Sequence, residues 1–254
     1  MYRHYLTPLL APRSVALVGA SDRPGSLGCI VFENLMNGGF RGAVHPINPK
    51  RQTVLGRRCH PSIASLDEPP ELVVVVTPAA TVPGILDEAG KAGTKSALVL
   101  TSGFSEAGEA GKALLRQAME IAHKHRMRLI GPNCLGLMRP AIGLNATFAR
   151  GFARPGKLGL ISQSGAICTA ILDWAHGAEV GFSSVISLGS AADVDFGELL
   201  DYLAADPQTE AILMYIEGIR EARRFLSALR AAAKRPTLSA ITGLERAAGT
   251  KAVW

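Results

Sequence analysis

Aromatic side chains are scarce in this sequence, at 6% of 254 residues, and no dense block of lysine and arginine occurs. The 27 basic and 21 acidic residues leave a mild net charge of +6 spread along the chain. Without basic blocks interleaved with aromatics, a nucleic-acid surface is not expected, and the mild positive balance suits a phosphorylated ligand better. The four cysteines, Cys29, Cys59, Cys134 and Cys168, stand far apart and form no CxxC pair. Reduced thiols are therefore expected, with no disulfide framework and no metal site. No apolar run approaches the length of a membrane span, and Met1–Leu10 lacks a secretory apolar core. A cytoplasmic chain without a membrane partner is the expectation. There are six histidines and none after His176. His60 neighbours Cys59 but no second pair completes a metal site. His123 and His125, two apart on a helix, point to different sides and read as surface residues.

What is present is apolar sequence in quantity, 48% of the chain, enough for one large or two medium domains with real cores. The stretch Val15 to Gly28 organises the first half. Ser14–Val18 reads as a buried parallel strand. Gly19 ends it, a polar Gly/Ser turn follows, and helical spacing starts at Leu27. A strand, such a turn and a helix in that order form an anion site, because the first helical amides lack internal partners and the helix dipole adds positive charge there. Read alone, the same stretch is also an ordinary βα turn.

The alternation continues. Strands are predicted at Ala43–Ile47, Leu72–Thr77, Ala97–Leu100 and Arg128–Ile130. Helices are predicted near Leu27–Asn37, Thr81–Ala92 and Ala110–His125. Residues 139–156, rich in Gly, Pro and Arg, read as a connector. The pattern then restarts with strands at Leu158–Ile161, Ser184–Leu188, Ala211–Glu217 and Thr237–Ile241, and helices at Ala166–His176, Phe196–Ala204 and Ile219–Lys234. The fold class expected is α/β, a doubly wound parallel sheet followed by a second α/β unit, divided at 1–150 and 151–254. The second unit is expected to be incomplete, since only about thirteen residues follow its last strand.

A first strand with a glycine turn suggests NAD, but Ser21 stands where the second glycine of G-x-G-x-x-G belongs. The second strand ends in Asn48-Pro49-Lys50-Arg51 rather than in the carboxylate that a ribose diol needs. A cation there suits a ribose phosphate, as in NADP or coenzyme A; Lys50 and Arg51 are equally a solvated loop. An NADP oxidoreductase would also need a catalytic Tyr/Lys pair, which is not evident.

Gly19-Ala20-Ser21 with Gly28, Pro46-Ile47-Asn48-Pro49-Lys50, Val76-Thr77-Pro78-Ala79, Ser102-Gly103-Phe104 and Gly131-Pro132-Asn133-Cys134-Leu135-Gly136 occur in this order. Together they resemble the CoA-binding domain of the NDP-forming acyl-CoA synthetases, the superfamily that includes the succinyl-CoA synthetase alpha subunit. The likeness runs to about Pro236. The opening, from Tyr5-Leu6-Thr7-Pro8 to Pro24-Gly25, is similar to bacterial acetate–CoA ligase-like proteins, some with a fused acetyltransferase. The resemblance implies a Rossmann-like first domain and a flavodoxin-like second. Gly19, Ser21, Arg23 and Ser26 would form the CoA phosphate loop. Asn48, Pro49 and Lys50 would lie beside the adenosine and its 3′-phosphate, and Val76, Thr77 and Pro78 at the central sheet edge. Ser102, Gly103, Phe104 and Glu106 would follow the pantetheine arm, with Asn133 and Cys134 near the reactive thiol. Cys134 also reads as a small buried residue, and Thr77-Pro78 as a strand stop.

In the second unit, Ser162-Gln163-Ser164-Gly165 repeats the strand–turn–helix anion pattern. The resemblance makes Gln163, Ser164 and Gly165 a phosphate site for a phosphohistidine, and Glu217 the carboxylate that supports it. Asp193-Val194-Asp195 reads as a cap for the helix at Phe196. The histidine itself, which the resemblance places after the Pro236–Gly243 strand, is not in this sequence, and neither is an ATP-grasp part. The chain is therefore expected to bind CoA or acyl-CoA and phosphate, and to reach ADP or ATP only through an ATP-grasp partner, as an inactive half on its own or as a CoA-sensing module. A homo-oligomer is also compatible with the sequence.

Overall fold

Val15–Val18 is apolar on both faces, and such a run is stable only with neighbours on either side. In the computed structural model, which describes residues 4–234 and the backbone of 239–244, that condition is met. A short helix α1 (Thr7–Leu10) precedes β1 (Ser14–Val18), then α2 (Leu27–Asn37), β2 (Ala43–Ile47) and a hairpin of β3 (Thr53–Val54) and β4 (Arg57–Arg58). The first unit continues through β5 (Leu72–Val75), α3 (Val82–Ala92), β6 (Ser96–Val99), α4 (Glu109–Lys124) and β7 (Arg128–Ile130). The sheet order is β2-β1-β5-β6-β7, all parallel. The winding reverses between β1 and β5, and the crevice beyond their C-terminal ends is where such a sheet takes a ligand.

The second unit contains β8 (Gly136–Arg139), β9 (Leu144–Thr147), β10 (Pro155–Ser162), α5 (Gly165–Gly177), β11 (Phe182–Ser187), α6 (Phe196–Ala205), β12 (Ala211–Ile216), α7 (Ala222–Ala233) and β13 (Ser239–Leu244). Its order is β13-β12-β10-β11-β8-β9. The strands from β10 to β13 are parallel, while β8 and β9 are antiparallel. Its winding reverses between β10 and β12. Both units are thus α/β, as the alternation of elements predicted, and Rossmann-like and then flavodoxin-like, as the resemblance implied.

Several expectations need correction. The connector read at 139–156 holds the end of β8, all of β9 and the start of β10, so the second sheet begins at Gly136, ahead of residue 150. The β3–β4 hairpin was not foreseen. His125 is not a surface residue: its side chain is 13% exposed and its Nε2 lies 2.7 Å from Asp87 Oδ1. Of the expected capping pair, Asp195 caps α6, accepting from the Gly197 and Glu198 amides, but Asp193 does not. Of the strand expected at 237–241, positions 237 and 238 lie outside the described residues, as does the tail from 245.

One apolar cluster runs through both units, from Leu6, Leu9 and Leu10 of the N-terminal segment through Val15, Phe32 and Leu137 to Ile161, Ile186 and Phe196. Beside it lies an ionic junction. Arg128, at the start of β7, donates to Asp193 (Nε to Oδ2, 2.9 Å) and to Glu198 of α6 (Nη2 to Oε2, 2.8 Å). Glu198 also accepts from Tyr5 Oη at 2.9 Å and Arg224 Nη2 at 2.8 Å. Burial pushes the Glu198 carboxyl up, but the Arg128 guanidinium and its other partners more than offset this, and its pKa is lowered.

Replacing Arg128 by alanine leaves two nearly buried carboxylates short of a cation, and the expected cost is about 3 kcal/mol in urea unfolding. A carboxyl with a depressed folded pKa stabilises the fold above its unfolded value, about 4.3 for Glu, and that stabilisation is lost as the pH falls through the folded pKa. The urea midpoint of the wild type should therefore drop more steeply below pH 4.3 than that of Glu198→Gln.

Candidate functional site

The β1–α2 turn is built by close backbone approach. Gly19 has φ +96°, and a Cβ on Gly28 would run into the Gly19 carbonyl oxygen. Only glycine at both positions lets the helix start this near the strand. Ser26 caps α2, its Oγ accepting from the Cys29 amide at 3.3 Å. The Leu27 and Gly28 amides, ahead of the capped one, have no intrahelical acceptor. Ser21 Oγ accepts from the Arg23 amide at 3.0 Å, which shapes the turn. Asn48 ties the end of β2 to this turn, donating from Nδ2 to the Ala20 carbonyl at 2.8 Å and accepting from the Lys50 amide at 2.9 Å. Arg51 and Asp22 pair across the same corner at 3.1 Å. Pro49, Lys50, Arg51 and Arg58 line a depression of about 490 Å³ there.

The larger feature is a cleft of about 890 Å³ between the two units. Leu27 lines it from α2, Val76, Thr77 and Pro78 from the end of β5, and Leu100, Thr101 and Ser102 from the end of β6. Asn133, Cys134 and Leu135 line it after β7, Phe148 after β9, and Gln163, Gly165, Ala166 and Thr169 from the β10–α5 junction. Thr101 Oγ1 donates to the Thr77 carbonyl at 2.7 Å, which locks the two strand ends together. Ser164 caps α5 through the Ile167 amide at 3.3 Å, so the N-termini of α2 and α5 are both at this cleft. Gln163 Oε1 accepts from the Glu217 and Gly218 amides at 2.7 and 3.0 Å.

The predicted residues fall into three groups. Val76, Thr77, Pro78, Ser102, Asn133, Cys134, Gln163 and Gly165 meet in the cleft. Gly19, Ser21, Arg23, Ser26, Asn48, Pro49 and Lys50 form the turn and corner on its α2 side. Gly103, Phe104, Glu106, Ser164 and Glu217 are outside the lining. Phe104 is 1% exposed and packs in the core beside Val99 and Leu129. Glu106 accepts from the Gly103 amide at 2.6 Å; burial raises its pKa, and this and neighbouring backbone amides bring the net shift below the usual value. Glu217 is exposed at the end of β12, held by its backbone. Sequence reasoning missed Leu100, Thr101, Leu135, Phe148, Ala166 and Thr169. Thr101 and Leu100 were within reach, being next to Ser102 at a strand end; Phe148 carried no signal inside a presumed connector.

Among known proteins, residues 13–140 match the family described as CoA binding domain, and residues 155–253 the one described as succinyl-CoA ligase like flavodoxin domain. The chain is 38% identical over 251 residues to the acetate–CoA ligase (ADP-forming) I subunit alpha of Pyrococcus furiosus, covering 97% of this chain and 54% of that protein. It is 41% identical over 241 residues to an acetate–CoA ligase (ADP-forming) of Methanocaldococcus jannaschii, covering 95% and 34%. A solved structure described as a dinucleotide forming acetyl-coenzyme A synthetase 1 of Ca. Korarchaeum cryptofilum, in complex with phosphate and ADP, matches with a TM-score of 0.89 at 36% identity, covering 93% of this chain and 51% of that one. The chain spans about a third to a half of the length of the curated relatives it matches.

Cys134 lines the cleft yet is not poised to react. Its Sγ donates to the Val99 carbonyl at 3.4 Å, and burial pushes the thiol up to about 12. Burial does the same to Cys168, also to about 12. At pH 8 roughly one in ten thousand such thiols is ionised. Alkylation of the native protein at pH 8, read by peptide mass spectrometry, should leave both unmodified, whereas the urea-unfolded chain reacts at both.

Proposed function

The chain belongs to the CoA-binding domain family, continued by a succinyl-CoA ligase-like flavodoxin domain, and on that premise we propose that it is the CoA-binding portion of an NDP-forming acyl-CoA synthetase. The complete assembly would convert acyl-CoA, phosphate and a nucleoside diphosphate reversibly into acid, CoA and the triphosphate. The observation that carries this reading is the cleft itself, which joins the ligand edge of the first sheet to the N-terminus of α5 in the second.

The residues present fit the ligand. From β2 to β7 the sheet edge spans four inter-strand steps, roughly 19 Å, a length for an elongated molecule rather than a compact one. Lys50, with Asn48 and Pro49, would hold the ribose phosphate and adenosine at the β2 end. The α2 amides, with Gly19, Ser21, Arg23 and Ser26, would take the diphosphate. Thr77, Pro78, Ser102, Gly103 and the Phe104–Glu106 turn would guide the arm toward Asn133 and Cys134, where the thiol end would meet the second unit. CoA would supply the thiol that carries the acyl group; this chain's part is to orient it and keep water away. Gln163, Ser164 and Gly165 would seat phosphate at α5, and Glu217 would support the histidine of a phosphotransfer relay. Phosphotransfer from ATP or to ADP would need an ATP-grasp subunit or domain. A cytoplasmic setting belongs to the same reading, supported by four buried cysteines that are all free.

Calorimetry with CoA, dephospho-CoA and NADP tests it. CoA should bind, loss of the 3′-phosphate should weaken binding by about tenfold, and Lys50→Ala should remove most of that difference. A preference for NADP would sink the reading.

A further inference from the structure

The loop between β9 and β10, residues 148–154, borders two separate spaces. Phe148 is on the cleft wall, while residues 150–153 border a hollow of about 350 Å³ with Leu172, Asp173 and His176 of α5. No residue lines both spaces. Thr169, at the cleft, and Leu172, Asp173 and His176, at the hollow, recur at helical spacing, so both spaces lie along one side of α5. The loop is tied down at both ends of this stretch. Asn34 Nδ2 donates to the Thr147 and Ala149 carbonyls at 2.8 and 3.0 Å, and Asn145 Nδ2 to the Gly151 carbonyl at 3.3 Å.

The floor of the hollow is apolar. Ala153 is buried, and with Leu172 it joins the cluster under α5 that contains Cys168 and Phe182. A Cβ on Gly38 would lie 2.6 Å from Phe152 Cε2, so that ring rests directly on the end of α2, with 38% of the residue still open. The rim is charged on opposite sides. Arg150 stands on the loop and Asp173 on the helix, with His176 three residues further along. Among the described residues none of the three makes a hydrogen bond or an ion pair. The loop's other cation, Arg154, is engaged by Glu179 at 3.0 Å.

A cation and a carboxylate that border so small a space without meeting leave a gap of definite size. A rounded space of about 350 Å³ is roughly 9 Å across. An ammonium and a carboxylate on one carbon are about 3 Å apart, and a hydrogen bond of about 2.8 Å at each end brings the span to roughly 9 Å. A ligand with only a carboxylate would set it against Asp173, and one with only an amine would set it against Arg150. A ligand with both charges complements both sides of the rim.

We propose that this hollow binds an apolar α-amino acid, with its carboxylate on Arg150, its ammonium on Asp173 beside His176, and its side chain on Phe152 and Leu172. The site is distinct from the cleft and does not depend on the CoA reading.

The test is titration of the isotope-labelled full chain with L-leucine, followed by its backbone amide NMR signals. Isocaproate and isoamylamine serve as leucine analogues that each lack one charge. Leucine should bind with a Kd on the order of 1 mM, and the signals that move should belong to residues 150–153 and 172–176. Each analogue should bind about fivefold more weakly than leucine. In Asp173→Asn, leucine and isocaproate should bind alike; in Arg150→Ala, leucine and isoamylamine should bind alike. No movement up to about 20 mM leucine, movement confined to cleft residues, or equal binding of leucine and both analogues by the wild type overturns the site. So does a folded variant that keeps the wild-type preference. The same spectra show whether each variant is folded, and the wild-type comparison decides the matter without them.

Discussion

Three backbone hydrogen bonds hold the two units in register: Ser190 N to the Pro132 carbonyl at 3.0 Å, and Ala192 N to Gly131 and Val194 N to Leu129, each at 3.1 Å. Asp193, in the middle of this seam, takes the Arg128 guanidinium and the Leu129 amide, the latter at 2.8 Å. The seam joins the end of β7 to the loop leaving β11. It leaves only residues 131–135 between the first sheet and the start of β8. The ligand edge of the first sheet and that of the parallel strands β10–β13 in the second therefore face each other at a fixed separation. Without it, each edge would carry only its own part of the cleft lining.

The parts of the fold that were legible in the sequence are those whose environment is set locally. Val15–Val18 and Leu72–Val75 are apolar on both faces, and only the middle of a parallel sheet accommodates that. β8 and β9 were not legible because their surroundings come from elsewhere in the chain. Arg139, in β8, is 5% exposed. It is neutralised by Asp206 at 2.9 Å, and its guanidinium lies over the Tyr202 ring at 5.8 Å. An arginine read along the sequence says solvent; here partners 60-odd residues away make it interior. The same holds for His125, whose burial depends on Asp87 of the preceding helix.

The candidate site divides the same way. Thr77 was legible because strand ends on one edge of a parallel sheet are where ligands lie; Ser102 and Asn133 were named through the resemblance, and they too follow strand ends on that edge. Phe104 was named through the resemblance, but its ring is buried in the core just ahead of the 3-10 turn Ser105–Ala107, while Ser102 lines the cleft. Phe148 had no local signal: what makes it part of the site is Asn34, on a helix of the other unit.

The elements proposed to take anions are largely backbone, and among the described residues no side chain lining the cleft is charged. A helix N-terminus offers directed amides and partial positive charge without a flexible cation. Such a site discriminates by shape and donor direction, so neighbouring groups must not wander. Gln163 illustrates how this is achieved. Both the Glu217 and Gly218 amides point at its Oε1, and only an oxygen can accept from both, which assigns the side-chain amide without ambiguity. Its Nε2 keeps two donors for another partner. The loops after β10 and β12, on either side of the point where the second sheet reverses its winding, are thereby tied by one side chain. A carboxylate at position 163 would satisfy the same two amides but place negative charge beside the α5 N-terminus, where the proposed phosphate would sit; the neutral amide makes the tie without it.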